Sequence, residues 1–172
     1  MARLNNSFTE VQQLLNTALH PPFHDLIDGE HTSISPQSLT SGVPALYTND
    51  GTVRDAISLP DHITTLWEPS TSIATFTEEL NTPIYVARIE FTVDPASSGQ
   101  IDFMAYINDT VPKVIQTTTS TFKNQISRIS TLFTFYLGSE TGYDLKNDGI
   151  YFEMLSDINA DIYDKTLLIY RT

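Results

Sequence analysis

From about residue 52 onward, apolar and polar side chains alternate along the chain in stretches of seven to twelve residues. In "PIYVARIEFTV" the alternation puts Tyr85, Ala87, Ile89, Phe91 and Val93 on one side and Arg88, Glu90 and Thr92 on the other. A period of two is the mark of a half-buried antiparallel strand. The pattern returns in "QIDFMAYIND", with Ile101, Phe103, Ala105 and Ile107 inward, and in "ISRISTLFTFYLG", with Ile129, Phe133, Phe135 and Leu137 inward. "GIYFEML" and "DIYDKTLLIYRT" are further strands, and shorter ones are expected at 31–34, 44–48, 63–67, 73–76 and 113–122. Eight to ten strands with turns between them predict an all-β sandwich or barrel.

The first residues follow another period. In "LNNSFTEVQQLLNTAL", Leu4, Phe8, Val11, Leu15 and Ala18 are spaced alternately by four and three, and Leu14 and Leu19 widen the stripe. This is the seam of an amphipathic helix, opened by a capping box of Ser7 and Glu10 and stopped by Pro21-Pro22. A helix this short must bury its stripe, against its own domain, against copies of itself or on a partner. Residues 20–48 read as an extended arm with short apolar pieces, so residues 1–30 form a helix-and-arm unit and 31–172 the sandwich.

Composition narrows what the chain does. It has 172 residues, of which 40% are hydrophobic and 17% charged. That size buries roughly 70% of the unfolded surface, enough for one core. Net charge is −12, and the nine basic residues are scattered singly, so no patch exists to neutralise several phosphates and no nucleic acid is expected as a partner. An anionic membrane surface would repel the chain as well. With no cysteine, disulfides, thiolate nucleophiles and cysteine-based zinc sites are excluded. "MARLNNSF" lacks the apolar core of a signal peptide, and no apolar run nears the ~20 residues a membrane helix needs. Synthesis in a cytoplasm and a soluble product are the expectation.

Few segments carry the residue types of chemistry. Asn49-Asp50-Gly51 returns as Asn147-Asp148-Gly149, and each triplet predicts a tight turn, because Gly tolerates positive φ and Asn or Asp bonds its own backbone. "DINAD", with Asp157, Asn159 and Asp161, imitates the start of a calcium loop. Yet Ile162 and Leu168 stand where that loop requires Gly and Glu, so a plain loop is expected. "HPPFHDLIDGEH" gathers His20, His24, Asp25, Asp28, Glu30 and His31 without regular ligand spacing, so these read as surface or interface polar residues and no metal is assigned. No nucleophile elbow or phosphate loop is present, and His62 has no evident partner. No catalytic residue and no cofactor is expected.

Three segments resemble a known group. "SLTSGVPALYTNDG" (38–51), "LPDHITTLWEPSTSIATFTEEL" (59–80) and the closing "FTFYLGSETGYDLKNDGIYFEMLSDINADIYDKTLLIYRT" look like tailed-bacteriophage virion proteins carrying a small jelly-roll domain of tumour-necrosis-factor-like shape. The matching positions are Leu39, Thr40, Thr48 to Gly51, Leu59 to Asp61, Ile63, Thr64, Trp67, Phe76, Leu80 and Arg171, while His62 replaces a Gly of the pattern. The resemblance spans about residues 31–172 and implies an antiparallel jelly roll, a homotrimer and a place on the outside of a virion. The major capsid protein or other virion proteins would be its partners, with no enzymatic activity. A capsid decoration protein is the expectation, and a fibre tip or adaptor binding a host glycan or another virion protein the alternative. The anchoring residues would be Leu4, Phe8, Val11, Leu15, Ala18 and Leu19 of the helix, with Pro21, Pro22, Phe23, Leu26 and Ile27 of the arm.

Overall fold

The structure is a computed structural model that describes residues 23–55, 66–75, 84–107, 114–136 and 149–171. The expected helix, with Leu4, Phe8, Val11, Leu15, Ala18 and Leu19, lies outside the described residues, as do Pro21 and Pro22. Every described element is a β-strand: β1 (Phe23–Ile27), β2 (Gln37–Leu39), β3 (Ala45–Leu46), β4 (Thr52–Asp55), β5 (Trp67–Glu68), β6 (Ile73–Ala74), β7 (Ile84–Pro95), β8 (Gly99–Ile107), β9 (Val114–Thr121), β10 (Ser127–Tyr136), β11 (Ile150–Ser156) and β12 (Ala160–Arg171). The five long strands predicted from alternation are β7, β8, β10, β11 and β12. The weaker segment at 31–34 is a turn closed by a single bridge between Thr32 and Ser35.

The strands form two antiparallel sheets packed as a sandwich. The first has the order β10-β7-β12-β1-β4, with β2 also on β12; the second has the order β5-β6-β11-β8-β9, with β3 also on β11. Numbering β1, β6, β7, β8, β9, β10, β11 and β12 from one to eight turns these orders into 6-3-8-1 and 2-7-4-5. First and last strands are neighbours and each sheet alternates between the chain's halves, which is the doubled Greek key of a jelly roll.

Part of the expected arm is a strand of the sandwich. Residues 23–27 do not project from the sandwich: they are β1, inside the first sheet between β12 and β4, with Leu26 opposite Leu167 and fully buried. A side chain that fills its own core cannot anchor to a neighbour. The sandwich therefore begins by Phe23, ahead of the boundary expected at residue 31.

The core is aromatic at its centre. Phe103 of β8 lies 5.7 Å from Phe91 of β7 and from Phe133 of β10, ring centre to ring centre, and 6.2 Å from Phe152 of β11. Tyr47 meets Phe103 edge-on at 5.8 Å, and Trp67 stacks on Phe152 at 6.3 Å. These rings come from both sheets, so they fix the sheets' separation as well as burying area.

β12 contains the feature that shapes the site. Its pairing with β7 slips between Tyr163 and Thr166, so that Asp164 and Lys165 stand against Phe91 alone, and Asp164 takes a φ of 50°. Two residues against one is a β-bulge. Before it Ala160 and Ile162 face inward; after it Lys165, Leu167 and Ile169 do. The extra residue reverses the parity of the strand and turns a lysine into the interior.

Candidate functional site

Three buried polar residues, Asp28, Asn49 and Lys165, meet where the Lys165 bulge reaches the end of β1 and the turn before β4. The Lys165 ammonium is 2.8 Å from Asp28 Oδ2, with both side chains inaccessible to solvent. It also donates to Gln37 Oε1 at 2.8 Å, to the Thr48 carbonyl at 2.5 Å and to Thr48 Oγ1 at 3.1 Å, and stands 5.2 Å from the Tyr47 ring centre. Asp28 is equally engaged. Oδ2 takes a second bond from His31 Nδ1 at 2.8 Å, and Oδ1 accepts from the backbone N–H of Glu30 at 3.1 Å and of Asp50 at 3.4 Å. Burial pushes the Asp28 carboxyl up, but Lys165, His31 and the Glu30 N–H together hold it below its ordinary value. Burial pulls Lys165 down and the Asp28 carboxylate opposes that. The hydrogen-bonding groups of the pair are matched on every side, the condition under which a buried pair is tolerated.

The turn at Asn49-Asp50-Gly51 builds one wall. Gly51 N–H donates to Asn49 Oδ1 at 2.9 Å, Thr52 N–H to Asp50 Oδ1 at 3.0 Å and Gly29 N–H to Asp50 Oδ2 at 3.1 Å. Gly51 has a φ of +74° and lies against Pro69, so a side chain there meets both strain and a clash. Trp67 Nε1–H closes the wall on the Asn49 carbonyl at 2.9 Å. Asn49-Asp50-Gly51 is turn chemistry, as its sequence predicts; Asn147 and Asp148 of the second copy lie outside the described residues, and Gly149 has a φ of +70°. Above the wall is an open cleft of about 550 Å³, lined by Glu30, His31, Gln37, Thr48, Asp50 and Ser70 among others.

Asp28, Glu30 and His31, surface or interface polar residues in the sequence reading, are brought together: each offers a ligating atom within 4.8 Å of the others. The position a cation would take against Asp28 is held by the Lys165 ammonium, which already supplies the counter-charge. A metal ion would have to displace that ammonium or the His31 ring. His24 goes elsewhere. It faces inward from β1, buried, its Nδ1 accepting from the Leu66 N–H at 3.3 Å while Nε2 has no partner. Desolvation pulls its pKa down, so the ring is neutral. His20 and His62 lie outside the described residues.

In "DINAD" residues 157–159 connect β11 to β12 and Ala160 and Asp161 open β12, and each polar side chain has a structural task. Asp157 Oδ1 accepts from the Gln100 N–H at 2.6 Å, Asn159 Oδ1 from the Ser41 N–H at 2.9 Å and Asp161 Oδ1 from Ser38 Oγ at 2.7 Å. These bonds tie β2 and β8 to this segment. Of the expected anchoring set, Phe23, Leu26 and Ile27 are the described members, and all three belong to β1.

Lys165 is the residue that sequence reasoning missed. The signal was present: apolar residues sit on even positions at 160 and 162 and on odd positions at 167 and 169, so the phase breaks between them and puts Lys165 with the inward set.

The fold and site define a jelly-roll β-sandwich with a buried polar cage around Lys165. No known protein family matches the chain, and no curated protein does. Among solved structures it is similar to the vertex protein P5 of PRD1, at a TM-score of 0.47 and 12% identity over 88% of this chain and 96% of that one. It is also similar to the globular domain of the zebrafish complement 1qA protein, at 0.43 and 10% over 88% and 95%. A third is the CBM22-1 xylan-binding domain of Xyn10C from Paenibacillus barcinonensis, at 0.43 and 9% over 86% and 92%. At these scores and identities the likenesses say nothing of function.

Proposed function

We propose that the protein is a non-catalytic structural protein of a tailed-phage virion, a homotrimeric decoration protein on the outer surface of the head that binds the major capsid protein. What supports this reading is the strand order of the two sheets, which is the jelly roll that the residues resembling phage virion proteins imply. The polar groups fit it too. Asp28, Lys165, Asp157 and Asn159 are each spent on holding strands and loops in place. The amphipathic stripe Leu4, Phe8, Val11, Leu15, Ala18 and Leu19 is the anchoring element in this reading, and β1 belongs to the sandwich. A lattice-bound copy is stabilised by mass action, since it binds the assembled state.

The test uses the full-length chain, because cutting at residue 30 would remove β1 and Asp28 from the sandwich. Light scattering on the purified protein should give a mass of three chains, and the protein should co-sediment with undecorated capsids. Replacing Val11 and Leu15 by Asp should abolish co-sedimentation while leaving the circular dichroism spectrum unchanged. A variant that coats capsids as well as the parent would overturn the anchoring assignment.

A further inference from the structure

The two outer faces of the sandwich treat charge differently. On the first sheet three arginines stand beside acids: Arg54 binds Asp25 at 2.6 Å, Arg88 is paired with Glu90, and Arg128 reaches Glu90 at 3.5 Å. On the second sheet Glu68, Asp102 and Glu153 point outward, and no Lys or Arg is found there among the described residues. Between these acids stand two aromatic rings. Tyr106 of β8 and Tyr151 of β11 are direct cross-strand partners, their rings parallel to within 8° with centres 5.0 Å apart and both half-exposed. Glu153 is two positions along β11 from Tyr151 and therefore shares its face.

The chemistry this face lacks, among the described residues, is a cation. Burial and then the Glu153 carboxylate raise the Tyr106 hydroxyl, and Tyr151 is raised for the same two reasons, so the negative field reaches both rings. A neutral ligand would leave that field unbalanced. A guanidinium answers each part at once: its plane stacks on a tyrosine and its fork of N–H groups fits a carboxylate. An ammonium makes the charge contact but not the planar one. Side chains of an extended segment alternate at about 7 Å on one side, which suits successive rows of a sheet face.

We propose that the outer face of the second sheet is a docking surface for an arginine-bearing extended segment of a partner protein, with a guanidinium on the Tyr106–Tyr151 pair and against Glu153. This goes beyond the virion reading and stands whether or not the chain decorates a capsid.

The experiment is isothermal titration of the full-length protein with a nine-residue Gly/Ser peptide carrying three arginines at alternate positions. The same peptide with citrulline, and with lysine, provides the comparison. Binding is expected for arginine, weakening as salt rises, with the lysine peptide weaker and the citrulline peptide silent. Glu153→Gln and Tyr151→Ser should each weaken the arginine peptide by about fivefold, as the loss of one partly exposed charge or cation–π contact does. Asp94→Asn, an exposed acid on the other sheet, should leave it unchanged. Glu153→Gln carries the test if the tyrosine variant fails to fold. Equal binding of the citrulline peptide, or an unchanged Glu153→Gln, overturns the proposal. So does xylohexaose displacing the peptide and shifting the tyrosine resonances, which would make the face a saccharide platform.

Discussion

Asp28 and Glu153 are both carboxylates on a β-sandwich of net charge −12, and the protein handles them in opposite ways. Asp28 has no solvent access and is met by an ammonium, an imidazole and two backbone N–H groups. Glu153 is half-exposed and has no cation beside it among the described residues. The difference is one of solvation. A buried charge must be answered from within the chain, so a rich polar cluster in the interior is evidence of a structural debt already met. An exposed charge is answered by water, and it can wait for a partner. The cage around Lys165 gathers the residues that look most like chemistry, yet it is the plainer face of the second sheet whose acids have no cation beside them among the described residues.

Breaking the buried side of this comparison should have the largest effect. Lys165→Met removes the ammonium from the buried Asp28 carboxylate, leaving it only His31 and two backbone N–H groups, and should cost about 3–5 kcal/mol in denaturant unfolding. Adding Asp28→Asn to that variant should recover part of the loss, since the two residues share one interaction and their effects do not add. A full loss in the double variant would show that the cage, and not the charge pair, matters most.

The turn that walls the cage comes next. Gly51→Ala forces a side chain into a φ of +74° and against Pro69, and should cost about 1–2 kcal/mol. Measured by the same unfolding, an effect near zero would mean that the turn shifts freely and that Asp50 need not hold Gly29.

Acid should loosen the buried side gradually. His24 has a pKa below its ordinary 6.5 because burial disfavours the charged ring. As pH falls below 6.5 the unfolded chain takes up a proton that the folded chain resists, so stability drops by at most about 1.4 kcal/mol per pH unit until the folded pKa is passed. Asp28 adds a second loss, since its folded pKa lies below 3.8 and the unfolded chain again protonates first. Thermal melts from pH 7 to 5 should show the first limb, and His24→Gln should flatten it. A limb that persists in this variant assigns the titration elsewhere.

On the exposed side the effect should be the smallest. Glu153→Gln should change stability by no more than about 0.5 kcal/mol, because water already solvates the group. A loss of several kcal/mol would place Glu153 in an internal network like that of Asp28 and erase the contrast.

How far the sequence announced this depends on the element. The alternation in β7 placed Tyr85, Ala87, Ile89, Phe91 and Val93 inward, and all five are buried. β8 and β10 follow their patterns over the described residues, with Phe103 and Phe133 at the centre of the core, while Leu137 lies outside them. Asn49-Asp50-Gly51 announced its turn because the conformation is intrinsic to those residues. β1 was read as an arm because "FHDLI" is short, follows two prolines and offers one clear inward position, Leu26; its place between β12 and β4 is a pairing at long range. His24 was read as a surface or interface residue for the same reason. Lys165 was overlooked because a lysine in a strand is by default an outward residue.

What the sequence determined alone was local: which residues alternate, where glycine permits a turn, that no cysteine chemistry exists and that the chain is strongly acidic. These follow from periods of two and from single-residue conformational preference, which need no neighbour. The tertiary structure decided the rest. It set β1 beside β12, reversed the phase of β12 with one extra residue and so brought Lys165 to Asp28 across 137 positions of chain. It also left Tyr106, Tyr151 and Glu153 together on one open face. Such encounters depend on strand order and register, and a side chain's solvation is known only once its neighbours are.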